Sequence, residues 1–366
     1  MAQARANARL RHQLPVHVGD DIMAQGSLAG WRRAGCAPLV LNGIVRERRE
    51  RMGQLLWELL PWGYQVLLAI EGLRTGLLNV LFSLITDIGS EFGYLVIVCL
   101  VYWCVSKGVG QVASFAYLSA ATLNLWLKDI WLIPRPDDPA LEGVWQRAGI
   151  VGRLMPLRHE TSPSFPSTHA QVAATAWGYL AARLGRTWFW AIAVTLIVLI
   201  SFSRLYLGVH LPQDVLAGVA IGIVYLAAWL VAAPRVQAWL SRRALGWRWA
   251  LAVLVPPVLW MAHPSKDTTT ALGAMMGLGI GYLFECQTTR FRVGGEWWRR
   301  ILRAGLGLAL VLAVYLALST LSASLGRGLG WAFEMGLRSL RYALVGLTAG
   351  WVAPWLFVRC RLASRE

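Results

Sequence analysis

Three short polar clusters in this 366-residue chain hold side chains that could act on a phosphate ester. Each cluster lies where a long apolar stretch begins or ends. The first holds Lys128 and Arg135, the second Ser167, Thr168 and His169, and the third Ser203, Arg204, His210 and Asp214. Together they offer a nucleophile, an acid and fixed positive charge, which phosphoryl transfer requires.

The third cluster supplies the candidate nucleophile. Pro212 suits the first turn of a helix, so His210 is expected just before a helix N-terminus, with Asp214 four residues further on. A carboxylate there can accept a hydrogen bond from one ring nitrogen and leave the other as a neutral nucleophile. The helix N-terminus favours a phosphate, and Arg204 can hold two of its oxygens. The plainer alternative is a pre-helix turn with a capping aspartate and a structural histidine.

The second cluster repeats this arrangement at another helix start. Ser167 is predicted to be the N-cap of a long helix, which places His169 in the first turn. The hydroxyl of Ser167 or Thr168, together with backbone N–H groups, could hold phosphate oxygens. His169 could protonate a departing alkoxide. Taken alone, the pattern is also compatible with an ordinary helix start.

The first cluster adds two cations. Lys128 and Arg135 are seven positions apart, about two helical turns, so both can face one pocket. Pro134 and Pro136 are expected to end the helix there. The alternative is that Lys128 extends its ammonium group toward the membrane surface without a chemical role.

The composition indicates an all-α, polytopic membrane protein. Hydrophobic residues make up 57% of the chain and charged residues only 15%, too few for the surface of a soluble domain of this length. The net charge of +16 comes from short clusters between apolar runs, which indicates cytoplasmic loops and not a nucleic-acid surface. The five cysteines lack framework or metal-ligand spacing, so we expect free thiols.

Apolar windows of about 17–25 residues, each long enough to cross a bilayer, recur along the chain. We predict an amphipathic, interfacial helix at 54–70 and spans at 73–87, 91–106, 109–133, 167–184, 187–203, 212–232, 247–262, 268–286, 301–323 and 337–358. Counting these spans puts all three clusters on one side of the membrane and most loop arginines on the other. Since positive charge marks cytoplasmic loops, the clusters should face the periplasm or exterior of a multi-pass inner (plasma) membrane protein.

Three regions differ in composition. Residues 1–52 are basic and polar and are predicted to be a disordered cytoplasmic tail; whether residues 1–51 are translated stays open. Residues 53–233 hold the clusters and are predicted to be the catalytic core. Residues 234–366 add glycine-rich membrane helices. They are compatible with a structural flank, a homodimer interface or a lipid-handling surface, and structural packing is favoured.

Two further polar segments have alternative interpretations. In the turn from Thr86 to Glu91, Glu91 could contact a substrate, but capping of the next helix is favoured. Segment 138–165 is the one long polar interruption between predicted core spans, and it either gates the pocket, binds a second phosphate or is a solvated loop. Its notable polar residues are Arg147, Arg153, Arg158, His159 and Glu160.

The clusters, written K-x6-R-P, P-S-x-H and S-R-x5-H-x3-D, resemble the tripartite signature of the type 2 phosphatidic acid phosphatase superfamily. That superfamily groups membrane lipid phosphatases with vanadium haloperoxidases. The resemblance covers about residues 70–233 and implies a six-helix phosphatase core. The additional C-terminal transmembrane helices lie outside it.

The resemblance also implies a role for each residue of the signature. His210 would form a phosphohistidine, oriented by Asp214, and His169 would be the general acid. Phosphate binding would fall to Lys128, Arg135, Ser167 and Arg204, and no metal or cofactor would be needed. Thr168 stands where the family usually has glycine, so that position departs from the pattern.

The function expected from these observations is hydrolysis of a lipid phosphate or an isoprenoid pyrophosphate at the membrane. Candidate substrates include polyprenyl pyrophosphate, phosphatidate, diacylglycerol pyrophosphate, phosphatidylglycerol phosphate and sphingoid-base phosphate. Two alternatives stay open. The same site could transfer phosphate to a lipid acceptor, or the chain could be a lipid transporter whose pocket only binds headgroups.

Overall fold

Helices make up the regular secondary structure of this chain. The computed structural model describes residues 42–150, 152, 154–325 and 330–365, and no β-strand occurs among them. The helices are α1 (Asn42–Glu71), α2 (Gly76–Ile88), α3 (Glu91–Leu100), α4 (Lys107–Trp131), α5 (Glu142–Arg147), α6 (Thr168–Leu184), α7 (Thr187–Tyr206), α8 (Pro212–Ser241), α9 (Leu245–Ala262), α10 (Lys266–Phe284), α11 (Trp297–Leu325), α12 (Trp331–Leu347) and α13 (Ala353–Arg359). Short π-helical turns continue three of them, at Val101–Val105, Glu285–Thr289 and Thr348–Val352. The predicted all-α architecture is confirmed.

The first helix begins earlier than the sequence predicts. Helix α1 starts at Asn42, inside the segment expected to be a disordered tail, whereas the predicted helix begins at residue 54. Arginine, glutamate and methionine fill positions 46–52, and their high helix propensity accounts for the extension although that stretch has no apolar stripe. Residues 1–41 lie outside the described part of the chain.

Helices α2 and α3 form one bent unit. Their axes differ by 59° across the break at Gly89 and Ser90. The hydroxyl oxygen of Ser90 accepts a hydrogen bond from the backbone N–H of Gly93 at 3.2 Å and so caps α3. The favoured interpretation of this turn, helix capping, is therefore confirmed.

Four of the described helices are long and apolar enough to cross a membrane, namely α7, α8, α9 and α11, and the bent pair α2–α3 is a fifth candidate. Helices α4, α6, α10 and α12 coincide with predicted spans but are shorter or less apolar. For α6 the reason is its position, because it packs against α4, α7 and α8 and most of its residues are buried in protein, not lipid. The chain is an integral, multi-pass membrane protein.

Helix α8 approaches α6 so closely that the two helix starts are joined. A Cβ atom on Gly218 would lie 2.6 Å from the carbonyl oxygen of Ser167, and one on Gly222 would lie 2.8 Å from Cβ of Ala174. Glycine is required at both positions because no side chain fits between the backbones. The backbone N–H of Ser167 donates to the carbonyl oxygen of Asp214 at 3.0 Å. Two of the three clusters therefore share one rigid junction.

The C-terminal helices pack through glycines, as predicted for most of these positions. A Cβ atom on Gly273 of α10 would lie 2.8 Å from the carbonyl oxygen of Ser339 in α12, and one on Gly277 would lie even closer to the carbonyl oxygen of Ala343. In α11, Gly307 packs against the ring of Trp103. Gly305 is the exception to close packing through glycines, because a Cβ atom there would meet no other described residue within 4 Å.

The C-terminal helices also bond directly to the N-terminal ones. The side chains of α3 and its π-turn donate to backbone carbonyls near the end of the chain, and α4 bonds to α10. The pairs are Trp103 Nε1 with Ala349 O, Tyr102 Oη with Gly350 O, and Ser114 Oγ with Tyr282 Oη, each at 3.0 Å. These buried bonds join the two halves into one packed body.

The described cysteines form no disulfide. They are Cys99, Cys104, Cys286 and Cys360, and all are free thiols, as predicted. Cys36 lies outside the described residues.

Candidate active site

The candidate nucleophile His210 is buried in the turn between α7 and α8. Its Nδ1 atom lies 3.5 Å from Oδ2 of Asp214 and 3.4 Å from Oγ of Ser164. Its Nε2 atom lies 3.4 Å from Nη1 of Arg135. Because a guanidinium can only donate, Nε2 carries the lone pair and the ring proton belongs on Nδ1, toward the carboxylate. The free nitrogen therefore faces the cations.

Asp214 is fixed by two donors on the same oxygen. Its Oδ2 atom accepts from the hydroxyl of Ser164 at 2.5 Å and from the backbone N–H of Leu211 at 2.8 Å. The second bond makes Asp214 part of the N-terminal cap of its own helix. The carboxylate that caps α8 is therefore the same one that lies beside Nδ1 of His210.

Burial and nearby positive charge both favour the neutral form of the His210 ring. Burial lowers the pKa of His210 well below its usual value, and the charges of Arg135, Arg204 and Lys128 lower it further. A neutral imidazole has a lone pair available for attack.

The three cations of the clusters converge on this histidine and are all buried. Arg135 donates through Nε to the carbonyl oxygen of Ser162 and through Nη1 to that of Val209, both at 2.7 Å. Lys128 donates to the carbonyl oxygen of Pro163 at 2.6 Å. These backbone carbonyl oxygens hold Arg135 and Lys128 in place, and they carry no formal charge.

Arg204 is held from the opposite side of the pocket. Its Nη1 atom donates to Oγ1 of Thr86 at 2.7 Å, and its Nη2 atom pairs with Oε1 of Glu160. The other carboxylate oxygen of Glu160 lies 2.7 Å from Nη2 of Arg135. Burial opposes ionisation of Glu160, but Arg204 and Arg135 outweigh it and lower its pKa to about 2. One carboxylate thus bridges both guanidinium groups.

The second cluster differs from its prediction in which hydroxyl is available. Ser167 occupies the N-cap position of α6, yet its side chain makes no capping bond, and its buried Oγ has no partner among the described residues. The hydroxyl of Thr168 donates to Oδ1 of Asn124. Of the two hydroxyls, that of Ser167 is left for an anion.

His169 lies in the first turn of α6, as predicted, beside the bend between α2 and α3. A Cβ atom on Gly89 would lie 3.3 Å from its Cδ2 atom, so a larger residue there would crowd the ring. The charged neighbours of the ring are Arg204, Glu160, Lys128 and Arg135. The structure therefore brings eight of the nine cluster residues close together, whereas the hydroxyl of Ser203 bonds to the carbonyl oxygen of Ile200 in its own helix.

A second layer of amides was not predicted. Asn124 donates through Nδ2 to Oε1 of Gln171 at 2.7 Å, and Gln171 donates through Nε2 to the carbonyl oxygen of Ala120 at 3.1 Å. This buried chain ties α4 to the first turn of α6 and hence Lys128 to His169. Polar residues at helical spacing inside apolar helices are the only sequence signal for it.

The loop before α6 supplies the other residues that sequence reasoning did not assign. Ser162, Ser164 and Glu160 all reach the pocket from it, and the backbone N–H of Ser164 donates to the carbonyl oxygen of Ile133 at 2.8 Å. Their closeness to the second cluster in sequence was the available signal.

The remaining polar residues of segment 138–165 lie further out. Arg158 makes two hydrogen bonds to the carboxylate of Asp87, at 2.7 and 3.0 Å, and exposed His159 lies 3.1 Å from Asp137. Arg147 ends the short helix α5. Arg153 lies outside the described residues.

Fold and site together define a helical membrane protein whose pocket is built from a histidine–aspartate pair, a second histidine and three cations. The chain belongs to the PAP2 superfamily: the model of that family matches residues 109–238, and that of the PAP2 superfamily phosphatase transmembrane extension matches residues 269–365. The family resemblance of the three clusters is confirmed.

Curated relatives are similar over parts of the chain. The chain is 26% identical to lipid phosphate phosphatase delta of Arabidopsis thaliana over 63% of this chain and 58% of that protein. It is 38% identical to phosphatidylglycerophosphatase B of Bacillus subtilis over 19% of this chain and 38% of that protein. It is 40% identical to the undecaprenyl-diphosphatase of Sulfolobus acidocaldarius over 17% and 30%. The chain spans little more than half the length of the first of these relatives.

A solved structure is also similar in part. The PAP2-type phosphatidylglycerolphosphate phosphatase of Bacillus subtilis aligns with a TM-score of 0.39 and 22% identity, over 50% of this chain and 95% of that one.

Proposed function

We propose that this chain is an integral membrane phosphohydrolase that cleaves lipid phosphate esters through a phosphohistidine on His210. The observation that carries the proposal is the orientation of the His210 ring. Nδ1 faces Asp214 and Ser164, and Nε2 faces Arg135. A ring fixed by a carboxylate on one side and open to cations on the other is arranged for attack on an anion.

In the first step, Nε2 of His210 attacks phosphorus. A P–N bond forms, and the P–O bond to the lipid breaks. Burial lowers the pKa of His169 well below its usual value, so the negative charge of the bound phosphate must raise that pKa for His169 to enter this step protonated. His169 then gives its proton to the departing oxygen and becomes neutral, while Asp214 accepts the hydrogen bond from Nδ1–H of the His210 ring as positive charge develops there. Catalysis by a positioned acid contributes about 10²–10⁴-fold in typical enzymes.

In the second step, water attacks the phosphohistidine. His169 now takes a proton from the water, the P–N bond breaks, and inorganic phosphate leaves with the new P–O bond. His210 returns to its neutral form with its proton on Nδ1. The same two histidines thus serve both half-reactions, and the enzyme returns to its starting protonation state.

Charge compensation comes from Lys128, Arg135 and Arg204. Phosphoryl transfer spreads negative charge over three equatorial oxygens and needs little covalent assistance. Fixed cations in a water-poor pocket stabilise that charge more strongly than the same cations in water. The unpartnered hydroxyl of Ser167 and the N-terminal N–H groups of α6 add neutral donors.

The substrate class follows from the membrane setting and the relatives. The pocket lies at helix ends, so a headgroup can enter it while the lipid chain stays in the bilayer. The relatives are named for lipid phosphates and for undecaprenyl diphosphate. We therefore assign lipid phosphates and isoprenoid pyrophosphates as the substrate class.

The non-cytoplasmic face is the proposed side of action. Basic residues gather at the helix ends opposite the pocket, and positive charge favours the cytoplasmic side. They are Lys107, Arg183, Arg186, Arg235, Arg242, Arg243, Arg248, Arg290, Arg292, Arg299, Arg300, Arg359 and Arg361.

Residues 53–233 form the proposed catalytic core, and residues 234–366 brace it. The buried bonds from Trp103 and Tyr102 to the backbone near residue 350 support a packing role for the extension.

Phosphate release by detergent-purified protein in EDTA tests the reaction. Wild type and His210→Ala are compared across a panel of lipid phosphates and pyrophosphates. Metal-independent release that is lost in the variant is expected. Near wild-type release by His210→Ala would refute the mechanism. Phosphate that moved to an added lipid acceptor, or lipid translocation kept by His210→Ala, would point to transferase or transport.

A further inference from the structure

Glu160 occupies the donors that the proposed function assigns to the phosphoryl group. Its Oε2 atom lies 2.7 Å from Nη2 of Arg135, and its Oε1 atom pairs with Nη2 of Arg204. Carboxylate and phosphate both accept from guanidinium forks in this geometry. A phosphate that bound both arginines fully would therefore have to share or take over these donors.

The Glu160 carboxylate and a bound phosphate would repel each other if both contacted Arg135 and Arg204. Glu160 is ionised throughout the neutral and mildly acidic range, because the two guanidinium groups hold its pKa at about 2 despite its burial. Protonation therefore does not relieve the repulsion between this carboxylate and an incoming phosphate. The remaining way to relieve it is movement of Glu160.

The structure makes Glu160 the movable partner. Its side chain is 29% exposed, whereas those of Arg135 and Arg204 are 5% and 1% exposed. Both arginines are tied to other groups, Arg135 to backbone carbonyls and Arg204 to Thr86. The carboxylate lies between solvent and the arginines, and it can leave without unpacking a helix.

The part of the loop next to Glu160 is held by an exposed ion pair and a backbone hydrogen bond. Arg158 pairs with Asp87, and the two side chains are 37% and 52% exposed. The backbone N–H of Leu157 donates to the carbonyl oxygen of Leu207 at 3.0 Å. Exposed ion pairs contribute about 0–1 kcal/mol, so the Arg158–Asp87 pair can hold the loop and still release it.

We propose that Glu160 is an internal anion that competes with phosphate for Arg135 and Arg204 and so sets the affinity of the pocket for substrate and product. This inference rests on the proposed function, which makes the two arginines the phosphate ligands. A returning carboxylate would also expel inorganic phosphate after hydrolysis. Glu160 is therefore a determinant of phosphate affinity and not a group that reacts.

The alternative is that Glu160 only organises the arginines. In that case its removal would let both guanidinium groups move, and phosphate would bind more weakly. The two possibilities predict opposite signs for the same variant, so one measurement separates them.

The test compares full-length wild type with Glu160→Gln and a matched control, Glu142→Gln. Glu142 lies in the same polar segment, is exposed, and makes no contact with the arginines. The inhibition constant of inorganic phosphate is measured against a micellar lipid phosphate. Glu160→Gln should lower it about tenfold, the effect of losing one charged hydrogen bond that phosphate must displace. Glu142→Gln should not change it.

Arg158→Ala, alone and combined with Glu160→Gln, tests whether the loop limits the movement of Glu160. Arg158→Ala should lower the inhibition constant of phosphate by a smaller factor, about threefold, because the exposed pair that holds the loop is lost. Loss of a cation by itself would raise that constant, so the direction is diagnostic. In the Glu160→Gln background, Arg158→Ala should have no such effect, because the competing carboxylate is already gone.

Thermal stabilisation by inorganic phosphate gives a readout that needs no turnover. If no lipid is hydrolysed by wild type, the proposed function fails, while the phosphate-dependent shift in Tm still reports competition. An equal or smaller shift in Glu160→Gln than in wild type, or an inhibition constant that is unchanged or higher, would overturn the inference.

Discussion

Replacing Ser164 by alanine removes the hydroxyl that joins the two members of the histidine–aspartate pair. Ser164 Oγ donates to Oδ2 of Asp214 at 2.5 Å and lies 3.4 Å from Nδ1 of His210. After the change, the partners left to Oδ2 are the backbone N–H of Leu211 at 2.8 Å and the more distant Nδ1 of His210 at 3.5 Å. The carboxylate can then rotate away from the ring, and the ring loses its fixed orientation.

The size of the effect follows from the charge on Asp214. A hydrogen bond to a charged group contributes about 1.5–3 kcal/mol, and about 1.36 kcal/mol corresponds to a factor of ten in rate. If most of this orients His210 in the transition state, kcat should fall about 10- to 150-fold. KM should change little, because Ser164 does not contact the three cations in the structure.

The assay is steady-state phosphate release by purified Ser164→Ala, with Ser203→Ala as the matched control. Ser203 is also a buried serine near the site, but among the described residues its hydroxyl donates only to the carbonyl oxygen of Ile200 in its own helix. The control should keep its kcat. Equal losses in the two variants, or a full kcat in Ser164→Ala, would refute the reasoning that Ser164 positions the pair.

Three further predictions concern neighbouring residues. Because the pKa of His210 is lowered well below its usual value, kcat/KM should hold as pH falls through about 6.5, and Arg135→Gln should move the acid limb upward; a limb at 6.5 or above in wild type would contradict this. His169→Ala should slow alkyl phosphates far more than p-nitrophenyl phosphate, whose leaving group needs no proton, and equal slowing would argue against a general acid. Thr168→Gly should lower the free energy of unfolding by about 1–2 kcal/mol, and with it Tm, because the bond to Asn124 is lost and glycine loses more conformational entropy on folding. The kcat should change little. Scanning calorimetry and an activity assay check the two effects.

The sequence predicted the groups of this site better than their connections. Residue type and position at helix ends were enough to predict that His210, Asp214 and His169 lie close together, because helix starts are set by local sequence. The hydroxyl of Ser167 illustrates the limit. Its N-cap position is set locally, but the close approach of α8 to its backbone depends on glycines about 50 residues away.

Loop residues could not be assigned from the sequence for a physical reason. Ser162, Ser164 and Glu160 lie in a segment without helical or strand period, so no pattern indicates which way they point. Their partners, Lys128, Asp214 and Arg204, are 34 to 50 residues distant in the chain. Such contacts depend on the packing of the complete bundle.

The apolar-window argument does not distinguish a helix that faces lipid from one that other helices enclose. Helix α6 is mostly enclosed by protein, so it tolerates Gln171 and Thr175 and is shorter than a lipid-facing span. A window of residues shows how apolar a helix is, but not whether lipid or protein surrounds it.

The formation of a phosphohistidine on His210 is the central claim, and trapping it is the direct measurement. Protein is mixed with a lipid substrate labelled in its phosphate, quenched in alkali within one turnover, and digested for mass spectrometry. If the phosphohistidine forms, alkali-stable, acid-labile label appears on the peptide that carries His210, and none appears in His210→Ala. Turnover without label on that peptide, or label on another residue that persists in His210→Ala, would contradict it.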